Sequence, residues 1–122
     1  RSIVGRQLEH SRIFYFANGG SEQVYLSSAD WMPRNLNERV ELFFPVESAR
    51  HIKRIKGILE VVLKDNVGAH ILQSNGSYRR AIRYGNIAIS SQNILYEMAK
   101  ASGKEKKMSI ERRLKPLYRK ED

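Results

Sequence analysis

The sequence predicts a single α/β domain of β-hairpins and flanking helices, and three observations carry that reading. Two Asn/Gly clusters, Asn18-Gly19-Gly20-Ser21 and Ser74-Asn75-Gly76, each lie between runs of β-forming residues. Residues that tolerate positive φ at such places close hairpins. A stretch opening at Ser48 repeats apolar residues at spacings of three and four, the period of a helix. Finally, 122 residues are enough for one core and too few for two.

The elements follow in order. Ser2 is placed to cap a short helix through Glu9, which Gly5 weakens. Ile13-Phe14-Tyr15-Phe16 reads as a strand, and Val24 to Ser28 as its hairpin partner. Asp30 to Asn37, holding Pro33 and two Asn, reads as a loop, and Arg39 to Val46 as a third strand stopped around Pro45. Apolar residues on both faces of these strands imply cover on both sides. The Ser48 helix gathers Ile52, Ile55, Leu59 and Val62, with Arg50, Lys53, Arg54 and Lys56 mostly turned outward. Ala69 to Leu72 and Tyr78 to Ala81 form a second hairpin. Ser90 or Ser91 caps a last helix, Asn93 to Ala101, ending near Gly103.

Charge narrows the partners. Twenty-two Lys and Arg against thirteen Asp and Glu give +9 at neutral pH. That excess favours polyanions: nucleic acid, acidic membranes, nucleotides or phosphate polymers. Residues 100–122 hold nine basic and four acidic residues, so the tail supplies +5 of the total. With no cysteine, disulfides, thiolate metal sites and a thiol nucleophile are excluded together. His10, His51 and His70 lack metal-ligand spacing, so no metal site is expected. No apolar run reaches membrane-spanning length. The first residue is Arg1 rather than Met, and the stretch is expected to be a carboxy-terminal piece of a longer protein.

A hairpin turning about Gly20 would set Phe16 opposite Val24, Phe14 opposite Leu26, Arg12 opposite Ser28 and His10 opposite Asp30. The four polar side chains would then emerge from one face at the open end. An imidazole can move a proton near neutrality or attack phosphorus. A guanidinium matches phosphate oxygens, a hydroxyl adds a donor, and an aspartate can orient the imidazole. Spacing alone equally allows a capped strand end in which His10 merely bonds Asp30.

Residues 1–47 carry the runs Ser-Ile-Val-Gly-Arg, Leu-Glu-His-Ser-Arg, Phe-Ala-Asn-Gly-Gly, Ser-Ser-Ala-Asp-Trp-Met-Pro-Arg-Asn and Arg-Val-Glu. They closely resemble the carboxy-terminal domain of bacterial polyphosphate kinase, and the likeness continues more loosely to Ser91-Gln92. The resemblance implies a phospholipase-D-like mixed sheet in one catalytic domain over residues 1–102, with a basic extension at 103–122. It implies an enzyme that reversibly transfers the terminal phosphate of ATP to polyphosphate through a phosphohistidine in a preceding domain. By itself this stretch is then expected to be inactive.

His10 resembles that family's second essential histidine, in contact with nucleotide phosphates and placed as a general acid. Arg12, Ser28 and Asp30 complete the implied phosphate site, and Arg39 and Glu41 match an Arg-x-Glu element beside the nucleotide. Mg2+ would bind outside this stretch. The implied partners are ATP or ADP, polyphosphate, the preceding catalytic domain and further copies of the full-length chain, without specific nucleic acid. The implied location is cytoplasmic, with membrane association open. His70 departs from the family, which has a basic Ala-Arg there.

Two other readings stay open: half of a phospholipase-D-type phosphodiesterase, against which Arg12 and Asp30 replace a lysine and an amide, and a basic polyanion-binding module. Among the remaining residues, His51 reads as a surface residue and His70 as structural. Trp31 reads as a core anchor or a border of the nucleotide site, and Arg34 and Asn35 as phosphate contacts or loop caps.

Overall fold

The computed structural model describes residues 1–83, 85 and 87–110, with side chains as far as residue 103. In chain order the elements are β1 (Ser2–Ile3), β2 (Ile13–Phe16), β3 (Gln23–Ser27), α1 (Pro33–Glu38), β4 (Phe43–Pro45), α2 (Ala49–Lys64), β5 (Ala69–Leu72), β6 (Tyr78–Arg80) and α3 (Ser91–Ile110). The α/β content is as expected, but the strands form two antiparallel sheets and not one mixed sheet. The chain divides into two compact units, Gly5–Lys64 and Arg1–Val4 with the chain from Asp65. Each holds its own three-stranded sheet, β2-β3-β4 and β1-β5-β6. Every strand pair is antiparallel. Tight Asn/Gly turns return the chain directly alongside itself, whereas parallel pairing needs a long crossover.

In the Gly5–Lys64 unit the first hairpin forms where expected, in a register one residue away. Phe16 faces Gln23, Tyr15 faces Val24, Phe14 faces Tyr25 and Ile13 faces Leu26. The turn explains the shift. Asn18, Gly19 and Gly20 have φ of 43°, 59° and 100°, and Ser21 N–H closes on Asn18 O at 3.1 Å. With residues 17–22 forming the loop, its midpoint falls between Gly19 and Gly20 instead of on Gly20.

That register sorts the side chains by alternation. Tyr15 and Val24 share one face, where Lys56 of α2 lies 5.6 Å from the Tyr15 ring centre. Val24 is 2 % exposed, and its burial contributes roughly 1.5–3 kcal/mol. Phe14, Phe16, Tyr25 and Phe43 share the other face in a chain of ring contacts. Phe14 meets Phe43 edge-on at 5.2 Å, Phe43 stacks on Tyr25 at 4.8 Å, and Tyr25 meets Phe16 at 6.1 Å. Phe16 and Phe43 remain about half exposed, so the expected cover on both faces is not found among the described residues.

Asp30 to Asn37 is a helix for most of its length and not a loop. Pro33 takes the first helical position of α1, where its missing N–H is no loss. Met32 O accepts the N–H groups of Asn35 and Leu36 at 3.0 Å. The third strand is correspondingly short, since Arg39 to Leu42 lies outside β4. Pro45 is tolerated because β4 is an edge.

In the other unit, Ser2–Ile3 is a strand paired with β5 rather than the start of a helix. Val4 N–H donates to Gly68 O at 2.9 Å, and a Cβ on Gly68 would stand 2.6 Å from Val4 O. Only glycine allows the two backbones to approach so closely. Asp65 ties the start of β5 to the start of α3. Its Oδ1 accepts the N–H groups of Val67, Gly68 and Ala69, and its Oδ2 accepts Ser91 N–H and Oγ–H. The β5–β6 hairpin forms as expected, with Gly76 N–H on Gln73 O at 3.0 Å. α3 runs past Gly103 to Ile110, because the Lys, Glu and Met after Gly103 favour helix enough to offset one glycine. Residues 111–122, most of the expected basic extension, lie outside the described residues. No helix among the described residues is long and apolar enough to cross a membrane.

Candidate functional site

The open end of the first hairpin gathers polar side chains in a different pairing from the expected one. Ser27 N–H donates to Arg12 O at 3.1 Å, which carries the observed register down to Arg12. Arg12 therefore lies opposite Ser27 rather than Ser28. Its guanidinium still reaches Asp30, with Nε donating to Oδ1 at 2.7 Å. This bond holds the Asp30 carboxyl below its usual range, with His10 and Asn35 acting in the same direction. Reciprocally it raises Arg12, and the Glu41 charge adds to that.

His10 is exposed and precedes β2, near enough to Asp30 to act on it electrostatically. The aspartate expected to orient the imidazole is hydrogen-bonded to Arg12 instead. Ser28 turns to another partner. Its hydroxyl donates to Glu41 Oε2 and accepts Leu42 N–H at 2.9 Å, while its N–H donates to Leu42 O at 3.0 Å. Arg39 and Glu41 are not on a strand, since Arg39 ends α1 in an extended conformation. Among the described residues they form no ion pair within 4 Å. Glu41 therefore buttresses Ser28 and not Arg39.

Beside this patch lies a cavity of about 470 Å³, within the range of small-ligand sites. Arg39 and Glu41 line it together with Asn35, Phe14, Trp31 and Phe43. Trp31, expected as a core anchor or a border of the nucleotide site, is 80 % exposed and stacks on Phe14 at 6.1 Å. It is a cavity wall and not a core anchor. Asn35 is buried in α1, while Arg34 is exposed. Arg12, Asp30, His10, Asn35, Ser28 and Glu41 thus form one neighbourhood, with Arg39 on the cavity beside it. The aromatic wall is not among the expected features, and its signal is the alternation of Phe14, Phe16, Tyr25 and Phe43 in the observed register.

Chemically, the arrangement offers fixed cations, an exposed imidazole and a flat apolar wall. Asp30 and Glu41 are engaged by Arg12 and Ser28, and no three His, Cys, Asp or Glu side chains converge among the described residues. His51 is exposed on α2, and His70 Nδ1 lies 3.0 Å from Gly68 O, a structural contact.

Residues 1–92 match the profile of the family described as polyphosphate kinase C-terminal domain 2. The polyphosphate kinase of Pseudomonas aeruginosa is 59 % identical over 86 residues, 70 % of this chain and 12 % of its own length. That of Bacillus anthracis is 49 % identical over 98 residues, 80 % of this chain and 14 % of its own. The crystal structure of polyphosphate kinase from Porphyromonas gingivalis superposes with a TM-score of 0.73 at 37 % identity. It covers 84 % of this chain and 16 % of that one. The chain thus spans about an eighth of the length of the curated relatives it matches.

Proposed function

Because the chain belongs to the polyphosphate kinase C-terminal domain family, we propose that it forms the nucleotide-facing part of an ATP–polyphosphate phosphotransferase. The observation that carries this reading is the adjoining of two surfaces. The aromatic cavity suits a flat base and is lined by Arg39, and its wall residue Asn35 acts on Asp30, the partner of Arg12 and neighbour of His10, where a triphosphate could follow.

In this reading Arg12 and Arg39 hold phosphate oxygens, and Asp30 fixes the guanidinium of Arg12 before the nucleotide arrives. Positioned charge of this kind is the main resource in phosphoryl transfer. As the bond between the terminal phosphorus and its bridging oxygen breaks, the His10 imidazolium donates a proton to the departing oxygen. The phosphoryl group passes to a histidine elsewhere in the protein and from there to the end of a polyphosphate chain. The reverse order regenerates ATP. In this reading magnesium, which would neutralise phosphate charge, is held by groups outside this stretch.

The unit belongs, in the same reading, to a phospholipase-D-like fold in a cytoplasmic, oligomeric enzyme. The deciding experiment supplies full-length protein with ATP and magnesium and follows polymer growth. Growth that disappears in His10→Ala supports the reading, and absence of any ATP-dependent polymer overturns it. The 122-residue chain alone should make none, since it lacks the phosphorylated histidine of this scheme.

A further inference from the structure

Helix α2 carries a basic surface that the His10–Arg12 site does not employ. Arg50, Lys53, Arg54 and Gly57 recur at spacings of three and four and so share one face, opposite Ile55, Leu59 and Val62. Arg50, Lys53 and Arg54 are exposed, and no ion pair engages them among the described residues. Of the carboxylates around this face, Glu47 precedes the helix, and Glu22 and Glu60 are taken. Glu22 accepts from Lys56 at 2.5 Å, and Glu60 lies 4.0 Å from Lys64. No acidic residue occupies the first turn, so these cations crowd the end of the helix whose dipole disfavours them. Folding alone gains nothing from that placement.

Gly57 is a second, independent oddity. A glycine inside a helix weakens it, and usually something approaches closely where the side chain would be. At Gly68 that something is Val4 O. At Gly57 a Cβ would meet nothing within 4 Å among the described residues outside its own stretch of helix. Instead the position opens on a cavity of about 640 Å³ bordered by Gly20, Glu22, Lys53, Lys56 and Glu60. The missing side chain leaves room beside the cations for something that is not part of this chain.

We propose that the Arg50–Lys53–Arg54 face of α2, with Gly57 open at its middle, is a second docking surface for inorganic polyphosphate, apart from the His10–Arg12 patch. The proposal rests on the polyphosphate reading of function and adds a place to it. From Arg50 to Gly57 the helix rises roughly 10 Å, which suits an extended polyanion better than a single phosphate. No aromatic residue lies on the face itself, so a nucleic acid would find no platform for its bases. A polymer of bare phosphates needs only the row of charge. Its role there would be to hold the chain near the enzyme while the end reacts elsewhere.

The test uses full-length protein and three variants: Lys53→Gln with Arg54→Gln, Arg79→Gln with Arg80→Gln as a control of equal charge loss on β6, and Gly57→Gln. Long-chain polyphosphate, ATP and a single-stranded DNA oligomer are titrated over a range of salt. The α2 pair should lose about tenfold in polyphosphate affinity and flatten the salt dependence by roughly 1.4 in log–log slope, taking the single-strand value of about 0.7 per contact. The control should lose far less, and Gly57→Gln should weaken polyphosphate severalfold with the slope kept. ATP affinity should be unchanged in all three. Equal losses from both double variants, or DNA bound as tightly as polyphosphate through α2, would overturn the surface. If ATP-dependent synthesis proves absent while the α2 loss remains, the surface stands and the enzymatic reading fails. Synthesis with wild-type polyphosphate affinity in the α2 pair overturns the surface and leaves the enzymatic reading standing.

Discussion

Arg12 and Asp30, 18 residues apart, are joined by a 2.7 Å hydrogen bond from Nε to Oδ1 at the open end of the first hairpin. The bond employs the innermost nitrogen of the guanidinium, so Asp30 can fix the side chain while its outer edge meets another anion. Asp30→Asn in the full-length enzyme should therefore lower kcat/KM for ATP about tenfold to a hundredfold. Arg12→Lys should be milder than Arg12→Ala, because it keeps the charge and loses the fork. Steady-state kinetics against ATP checks both, and equal loss from Lys and Ala would count against the fork.

His10→Ala should depress turnover far more than stability. General acid catalysis is worth about 10²–10⁴-fold, whereas the imidazole is exposed and buries nothing that folding would miss. Turnover and the thermal midpoint of the same preparation separate the two effects. A lowered midpoint with turnover intact would make His10 structural.

Trp31→Ala should raise KM for ATP severalfold with little change in kcat, since base stacking binds ground and transition states alike. The ring is mostly exposed and touches Phe14, so little of the fold depends on it. Trp31→Phe should recover most of the affinity, and nucleotide titration followed by tryptophan quenching in the wild type gives an independent reading.

How much of this the sequence discloses varies by element. Both hairpins, α2 and the start of α3 are legible, because Asn/Gly turns and three-four periodicity are local signals. The hairpin register is not, since a shift of half a turn residue changes no local preference yet moves every side chain across the sheet. His10, Arg12 and Asp30 remain neighbours despite the slip because Arg12 is long enough to reach Asp30 from the offset position. α1 is hidden behind two Asn and a Pro, although Pro at a first helical position is itself a start signal. Ser2–Ile3 shows the opposite failure: its partner, β5, is remote in sequence, and no local pattern announces it.

Two glycines should respond oppositely to alanine. Gly68→Ala puts a Cβ 2.6 Å from the Val4 carbonyl oxygen and should destabilise by about 1–3 kcal/mol. Gly57→Ala meets open space and should stabilise by roughly 0.5–1 kcal/mol. Denaturant melts of the two variants provide the comparison.

Asp65 sets an acid limit on stability. Its burial favours the protonated form, yet the hydrogen bonds from Ser91, Gly68 and Val67 outweigh it and hold its pKa below the usual 3.8. A carboxyl lowered on folding contributes stability that is present above its unfolded pKa and is lost as pH falls through the folded value. Asp65→Asn should cost about 2–4 kcal/mol at neutral pH, because an amide turns one oxygen acceptor into a donor facing donors. It should also remove part of the stability loss seen in wild type below about pH 4. Urea melts at pH 7 and pH 3 give both numbers.

The same carboxylate binds the start of β5 with one oxygen and the first turn of α3 with the other. Neither end can open without stranding the donors of the other, so the two should breathe together. Amide protons of Val67, Gly68, Ala69 and Ser91 should exchange with solvent as one cooperative group, at a common opening free energy. A single buried side chain would thereby set the boundary of a folding unit assembled from segments that are distant along the chain.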